Sequence, residues 1–216
     1  MTDIATRTLL VLAVAAAPLA VHAGRPLLVD DTGTNDKGNG HVEAWYERQP
    51  GGGHVWNLAP AFAVMEGVEL SAALSRERPG DGAARAVQVK VSLTEPREQG
   101  CNLGASAAHT WLNQARGYGN QLVGIATCNA SLGSAHFNLG ALRPSLENRT
   151  LSLFGAALER PIGALTAHVE WLREQDAKPV TAAGLRTSIA KNLQIDASVA
   201  RAERDTVITV GTKLSF

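Results

Sequence analysis

From His41 to the last residue, apolar and polar side chains alternate with a period of two, and no stretch of comparable length favours the spacing of a helix. The clearest instance is Ala86 to Thr94, where Val87, Val89, Val91 and Leu93 oppose Gln88, Lys90, Ser92 and Thr94. Val55 to Val64 and Val68 to Ser75 repeat it, with Trp56, Leu58, Phe62 and Val64, then Val68, Leu70, Ala72 and Leu74, on one face. Such alternation sends neighbouring side chains to opposite sides of a strand, so the chain is confined to half-buried sheet. Segments of this kind fall at 41–48, 55–64, 68–75, 86–94, 102–112, 121–129, 135–142, 151–159, 164–173, 180–189, 194–202 and 206–216. Twelve strands over residues 39–216 leave about 15 residues for each strand and its connection, against the roughly 9–11 that a membrane-crossing strand needs.

The two ends separate a membrane barrel from a soluble sandwich. Arg7, the apolar run Leu9 to Val21 and the small residues of Val21-His22-Ala23 read as a signal peptide, residues 1–23, cleaved after Ala23. At the other end the chain stops on Phe216, with Leu214, Val210 and Ile208 two, six and eight positions before it. This resembles the C-terminal signature by which outer-membrane barrels are passed to their assembly machinery. Together they predict an all-β, antiparallel, up-and-down transmembrane β-barrel of about twelve strands in a Gram-negative outer membrane, spanning residues 39–216. Apolar residues make up 45% and formal net charge is zero, which suits a wall with one lipid face and one wet face and argues against a nucleic-acid partner.

Residues 24–38 are polar, with Asp30, Asp31, Gly33, Asn35, Asp36 and Gly38, and form an irregular leader predicted to enter or cap the periplasmic mouth. An even strand number places both termini in the periplasm. The periplasmic turns are then Met65 to Gly67, Glu95 to Gly100, Ala130 to Ser134, Arg160 to Gly163 and Ala190 to Leu193. The outer loops are Gln49 to Gly53, Arg76 to Gly82, Asn113 to Asn120, Arg143 to Arg149, Glu174 to Pro179 and Ala202 to Asp205. This topology sorts Tyr46, Trp56, Trp111 and Trp171 to the outer level and Phe62, Phe137 and Phe216 to the inner, as interfacial belts require. Trp45 falls on the lumen side without an evident reason, and Pro60 predicts a bulge in its strand. The faces of strands five, six and eight stay open, because both sides are small or apolar.

Lumen parity carries Glu43, Glu47, Glu69, Lys90, His136, His168, Glu170, Arg186, Asp196 and Lys213. A charge facing lipid near the midplane costs about 2–4 kcal/mol, so these residues are expected to point inward. They read as the mixed-sign wall of a wet path or as ion pairs that fill a narrow barrel. The only cysteines, Cys101 and Cys128, lie at the periplasmic ends of neighbouring strands and are expected to form a disulfide after export. Arg76, Arg78, Arg85, Arg143 and Arg149, placed in or beside outer loops, are candidates for lipopolysaccharide phosphates. No nucleophile elbow, dinucleotide fingerprint or zinc-protease pair is present, and no metal or cofactor is expected. His168 and Glu170, two apart on one strand face, come nearest to an acid–base pair but have no nucleophile identified beside them.

Arg25-Pro26-Leu27, Asp30-Asp31-Thr32-Gly33-Thr34, Lys37-Gly38 and a first strand bearing Glu43 and Tyr46 resemble the opening of a phenol-degradation (meta-pathway) outer-membrane family. The turn Met65-Glu66-Gly67 leading into Val68-Glu69-Leu70 is similar to that family's as well. The resemblance implies a barrel transporter, with no catalytic residues to carry over. Three functions are thus weighed: a small porin-like channel for low-molecular-weight solutes, a structural or interaction barrel without transport, and an outer-membrane enzyme. The first is expected, with membrane lipid, lipopolysaccharide, the barrel assembly machinery and a small solute as partners.

Overall fold

Each alternating segment ends in a turn rich in Gly, Asn, Asp or Pro and pairs antiparallel with the next, so one curved sheet accumulates. In the computed structural model, which describes residues 27–113, 117–145 and 149–216, that sheet closes on itself. Its first six strands are β1 (Gly40–Arg48), β2 (His54–Met65), β3 (Val68–Arg78), β4 (Ala83–Ser92), β5 (Gly100–Leu112) and β6 (Tyr118–Ala130). The rest are β7 (Gly133–Pro144), β8 (Leu151–Ile162), β9 (Leu165–Glu174), β10 (Val180–Ala190), β11 (Leu193–Ala202) and β12 (Asp205–Ser215). β1 pairs with β12 to complete a barrel of twelve strands. Phe216 extends that seam: its N–H donates to Gly40 O and its carbonyl accepts from Gly40 N–H, both at 2.9 Å. The expected signal peptide, 1–23, and leader residues 24–26 lie outside the described residues.

The faces are those of a membrane barrel. Trp56, Leu58, Phe62, Leu70, Leu74, Phe137 and Phe154 are exposed on the outer wall, whereas Glu43, Glu69 and Lys90 are among the most buried side chains. The start of β1 and the end of β12 lie at one rim, called the terminal rim, and the opposite end is the far rim.

Four features depart from the sequence expectation or complete it. The far-rim strands run further than the hydrophobic pattern: Arg76 and Arg78 belong to β3, Arg143 to β7 and Asn120 to β6, so the third connection shrinks to Pro79–Gly82. At the terminal rim β8 likewise extends through Arg160 to Ile162. Backbone pairing is blind to side-chain type, so a ladder propagates past the last apolar residue wherever its neighbour still offers a partner. Pro60 causes no bulge. Its pairing with Val42 persists, and on the β3 side the register is the same at Leu58↔Leu74 and Ala61↔Ser71, with the intervening pairs missing. The register shift in that pair lies at Ala63/Met65, beside the turn. Trp45 does point inward, packing on the buried patch Ala59, Ala73 and Ala86, while its Nε1 donates to Glu47 Oε1 at 2.7 Å.

The undecided faces also resolve. β5 buries Asn102, Ser106 and Thr110; β6 buries Val123, Ile125 and Thr127; β8 buries Leu151, Leu153, Ala157 and Glu159. Cys101 and Cys128 are direct cross-strand partners joined by a disulfide, with Cα atoms 3.9 Å apart.

Candidate functional site

The lumen is lined by charged and amide side chains because each strand has one face that cannot meet lipid. All ten residues expected there have inward parity, and Glu43, Glu69, Lys90, His136, His168, Glu170 and Asp196 are buried. The structure groups them. Glu43 Oε1 lies 3.6 Å from His41 Nε2 and 3.7 Å from Lys213 Nζ. Glu47 accepts hydrogen bonds from Trp45, Gln49 and Asn57. Glu159 Oε2 sits 2.9 Å from Arg186 and 3.4 Å from His136, and Asp196 stands opposite Arg186 in the β10–β11 register. His168 Nε2 is 3.6 Å from Glu170 Oε1, close to the glycine at 184, where a Cβ would come within 2.5 Å of the imidazole.

The chain's own N-terminal segment occupies this wall's centre. Gly38 N–H donates to Ala63 O, and Asn39 O accepts from Ala63 N–H, which fixes the segment to β2 at the terminal rim. Above this, Asn35 donates through its backbone N–H and Nδ2 to Glu69 Oε2, at 3.0 and 2.6 Å. Thr32 N–H donates to Thr127 Oγ1 at 3.0 Å. Asp30 exchanges two bonds with the Asn138 amide: its N–H donates to Oδ1 at 2.7 Å and its carbonyl accepts from Nδ2 at 2.8 Å. Deepest, in the middle of β9, Glu170 Oε2 accepts from the N–H groups of Leu28 and Val29, at 2.5 and 2.8 Å. Lys90 Nζ reaches the segment from β4, 2.8 Å from Asp30 Oδ1 and 3.5 Å from Asp31 Oδ1.

Two wall glycines admit the segment's side chains. A Cβ on Gly155 would stand 3.1 Å from Val29 Cγ2, and one on Gly104 would stand 3.4 Å from Thr32 Cγ2. Leu27 and Val29 are fully covered, and nearby Val123, Ile125 and Leu153 with Leu172 form an apolar layer of the lumen. Burial raises the Asp30 carboxyl from 3.8 to about 6, against the pull of Lys90. Burial acts the same way on Asp31, but there Lys90, His136, the Gly33 N–H and Lys213 together outweigh it, and the carboxyl is held below its usual value.

Residues 10–216 match the family described as Uncharacterised conserved protein UCP029691. The chain belongs to this family. No curated protein matches it in sequence. Among solved structures, the KdgM porin in complex with disordered oligogalacturonate has a TM-score of 0.72 at 13% identity, covering 82% of this chain and 99% of that one. The NanC porin aligns with a TM-score of 0.61 at 7% identity, over 81% and 98% of the two chains. Omp33 from Acinetobacter baumannii aligns at 0.57 and 11% identity, over 82% and 98%. This family member therefore has the fold of small outer-membrane β-barrels.

Two lumen residues of this family member escaped the sequence reading, Asn138 and above all Glu159, while His41 and Asn57 fell on the polar side of their strands without being singled out. Glu159 did carry a usable signal. It is the one charge between 151 and 159, and keeping it from lipid would have set the inward face of β8. Arg149, a candidate for lipid phosphate, pairs with Asp176 at 2.6 Å across neighbouring loops.

Proposed function

We propose that the protein is a small-solute channel of the outer membrane whose lumen is held shut by residues 27–39 and opens when they leave. The observation that carries this is the polar character of the docking. The segment is bound to the wall by hydrogen bonds and one ammonium–carboxylate cluster, all groups that water can serve equally well after release. Such bonds contribute about 0.5–1.5 kcal/mol each net, so displacement is a change of a few kcal/mol, within reach of a ligand or a shift in pH. Glu159 Oε1 and Glu170 Oε1 have no hydrogen-bond donor among the described residues, which leaves acceptor sites on the wall for water or a polar solute. The likeness to small porins supports the transport reading, as does the resemblance of residues 25–46 to a family of barrel transporters. KdgM is recorded with an oligogalacturonate; here the mixed-sign wall fits small polar solutes as a class.

A second reading, a barrel without transport, is favoured by the apolar layer beside Val29. One measurement separates the two. Deleting residues 24–38 is expected to raise single-channel conductance in a planar bilayer, because the wall of twelve strands stays closed without them. Unchanged conductance would favour the structural barrel.

A further inference from the structure

Every Asp and Glu in the twelve strands has lumen parity, so no acidic side chain is set on the outer wall. Cations are treated differently. Arg48, Arg76, Arg85, Arg143, Arg173 and Arg201 are all exposed and share the outward face, as their register partners show: Ile208, Trp56, Trp111, Asn120, Phe154 and Thr181. All six stand near the far rim. The terminal rim carries only Arg160 on that face. Arg78 shares this face and pairs with Asp81 of the adjoining loop at 3.6 Å, but the outward charges within the strands at this level are all cationic, whereas solvated surface charge mixes signs.

The girdle is densest across β2 to β5. Arg76 is opposed to Trp56, and Arg85 to Trp111. Leu74 pairs with Arg85 and Arg76 with Ala83, so the two arginines are diagonal neighbours, roughly 7–8 Å apart. Neither has an ion-pair partner among the described residues. With Leu58, Leu74 and the loop carboxylate Asp81 they line an open groove of about 700 Å³ whose wall turns from charged to apolar toward the membrane centre. Trp56 and Trp111 flank it at the height where indole rings favour the membrane interface.

We infer that this groove is a binding site for the phosphorylated glycolipid of the outer leaflet, with a headgroup phosphate between Arg76 and Arg85 and acyl chain against Leu58 and Leu74. Guanidinium forks match phosphate oxygens in pairs, and an unpaired arginine on a lipid-facing wall is tolerated only where a polar headgroup reaches it. The inference concerns the outer surface and is independent of whether the lumen conducts.

The test uses the folded mature barrel in detergent, titrated with bisphosphorylated lipid A and followed by native mass spectrometry. Dephosphorylated lipid A and phosphatidylglycerol are the comparison probes. Arg76→Gln combined with Arg85→Gln is expected to weaken binding of the bisphosphorylated form by about tenfold or more, and Arg160→Gln to leave it unchanged. Heat-modifiable migration verifies that each variant is folded. If the double variant does not fold, the natural chain still decides, through its preference for the phosphorylated over the dephosphorylated lipid. Equal binding of those two forms, equal binding of phosphatidylglycerol, or full retention by the folded double variant would overturn the assignment.

Discussion

Lys90 and Asp30 meet inside a membrane barrel although they are sixty residues apart in the chain, and their contact couples the wall to the segment within it. A buried pair of this kind gains stability only when other bonds satisfy both partners, and here Asp31 shares the ammonium while Asn138 holds the Asp30 backbone. The raised carboxyl of Asp30 gives docking a pH dependence of definite sign. Its value is about 6 in the docked state against 3.8 when free, so the protonated form favours docking. That contribution is complete below about 3.8 and is lost as pH rises through about 6. A nitroxide on Lys37→Cys, beside a disulfide that leaves no other free thiol, should therefore become more immobilised on going from about pH 7.5 to about pH 5. In an Asp30→Asn background that response should diminish; if it persists undiminished, another group drives it.

The β5–β6 hairpin is the best-tied element of the wall. Its pairing runs unbroken from Gly100↔Asn129 to Trp111↔Tyr118, and the disulfide clamps the terminal-rim end of that register. The clamp also holds the base of the 93–99 connection, where Arg97 O accepts from Asn102 and Asn129 side chains and Arg97 N–H donates to Asn102 Oδ1. Closing a loop with a sequence separation of 27 restricts the unfolded chain, by about 3–4 kcal/mol in the chain-entropy account. Cys101→Ser with Cys128→Ser should leave a folded barrel with a lower denaturant midpoint. Thiol titration of the natural chain, denatured without reductant, should find no free thiol. An unchanged midpoint would mean that the sheet alone holds the register.

For the molecule as a whole, closure is the decisive step, because β1 and β12 are edges until they find each other. The reciprocal bonds between Gly40 and Phe216 extend that seam by one residue, and a Cβ on Gly40 would come within 3.0 Å of the Phe216 ring. Phe216→Ser is expected to reduce the fraction of chain that reaches the heat-modifiable, membrane-embedded form. Chains that do close should show the same conductance as the natural protein. Full assembly of the variant would show that the terminal aromatic is dispensable for handover.

The strand count, the antiparallel closure, the inward charges and the cysteine pair were all legible in the amino-acid order. Each follows from a period of two, from turn chemistry or from the cost of a charge in lipid, and these act over a few residues. The sequence was silent where both strand faces are small, as in β5 and β6, because parity needs a contrast to be read. Strand ends were also hidden, since the far-rim ladders are prolonged by backbone partners on other strands, and so the arginines at 76, 78 and 143 looked like loop residues. What Leu28, Asp30, Thr32 and Asn35 touch was beyond any local pattern: their partners Glu170, Lys90, Asn138, Thr127 and Glu69 come from five strands. Only closure brings those strands around one axis, and only then does a polar leader have a wall to bind.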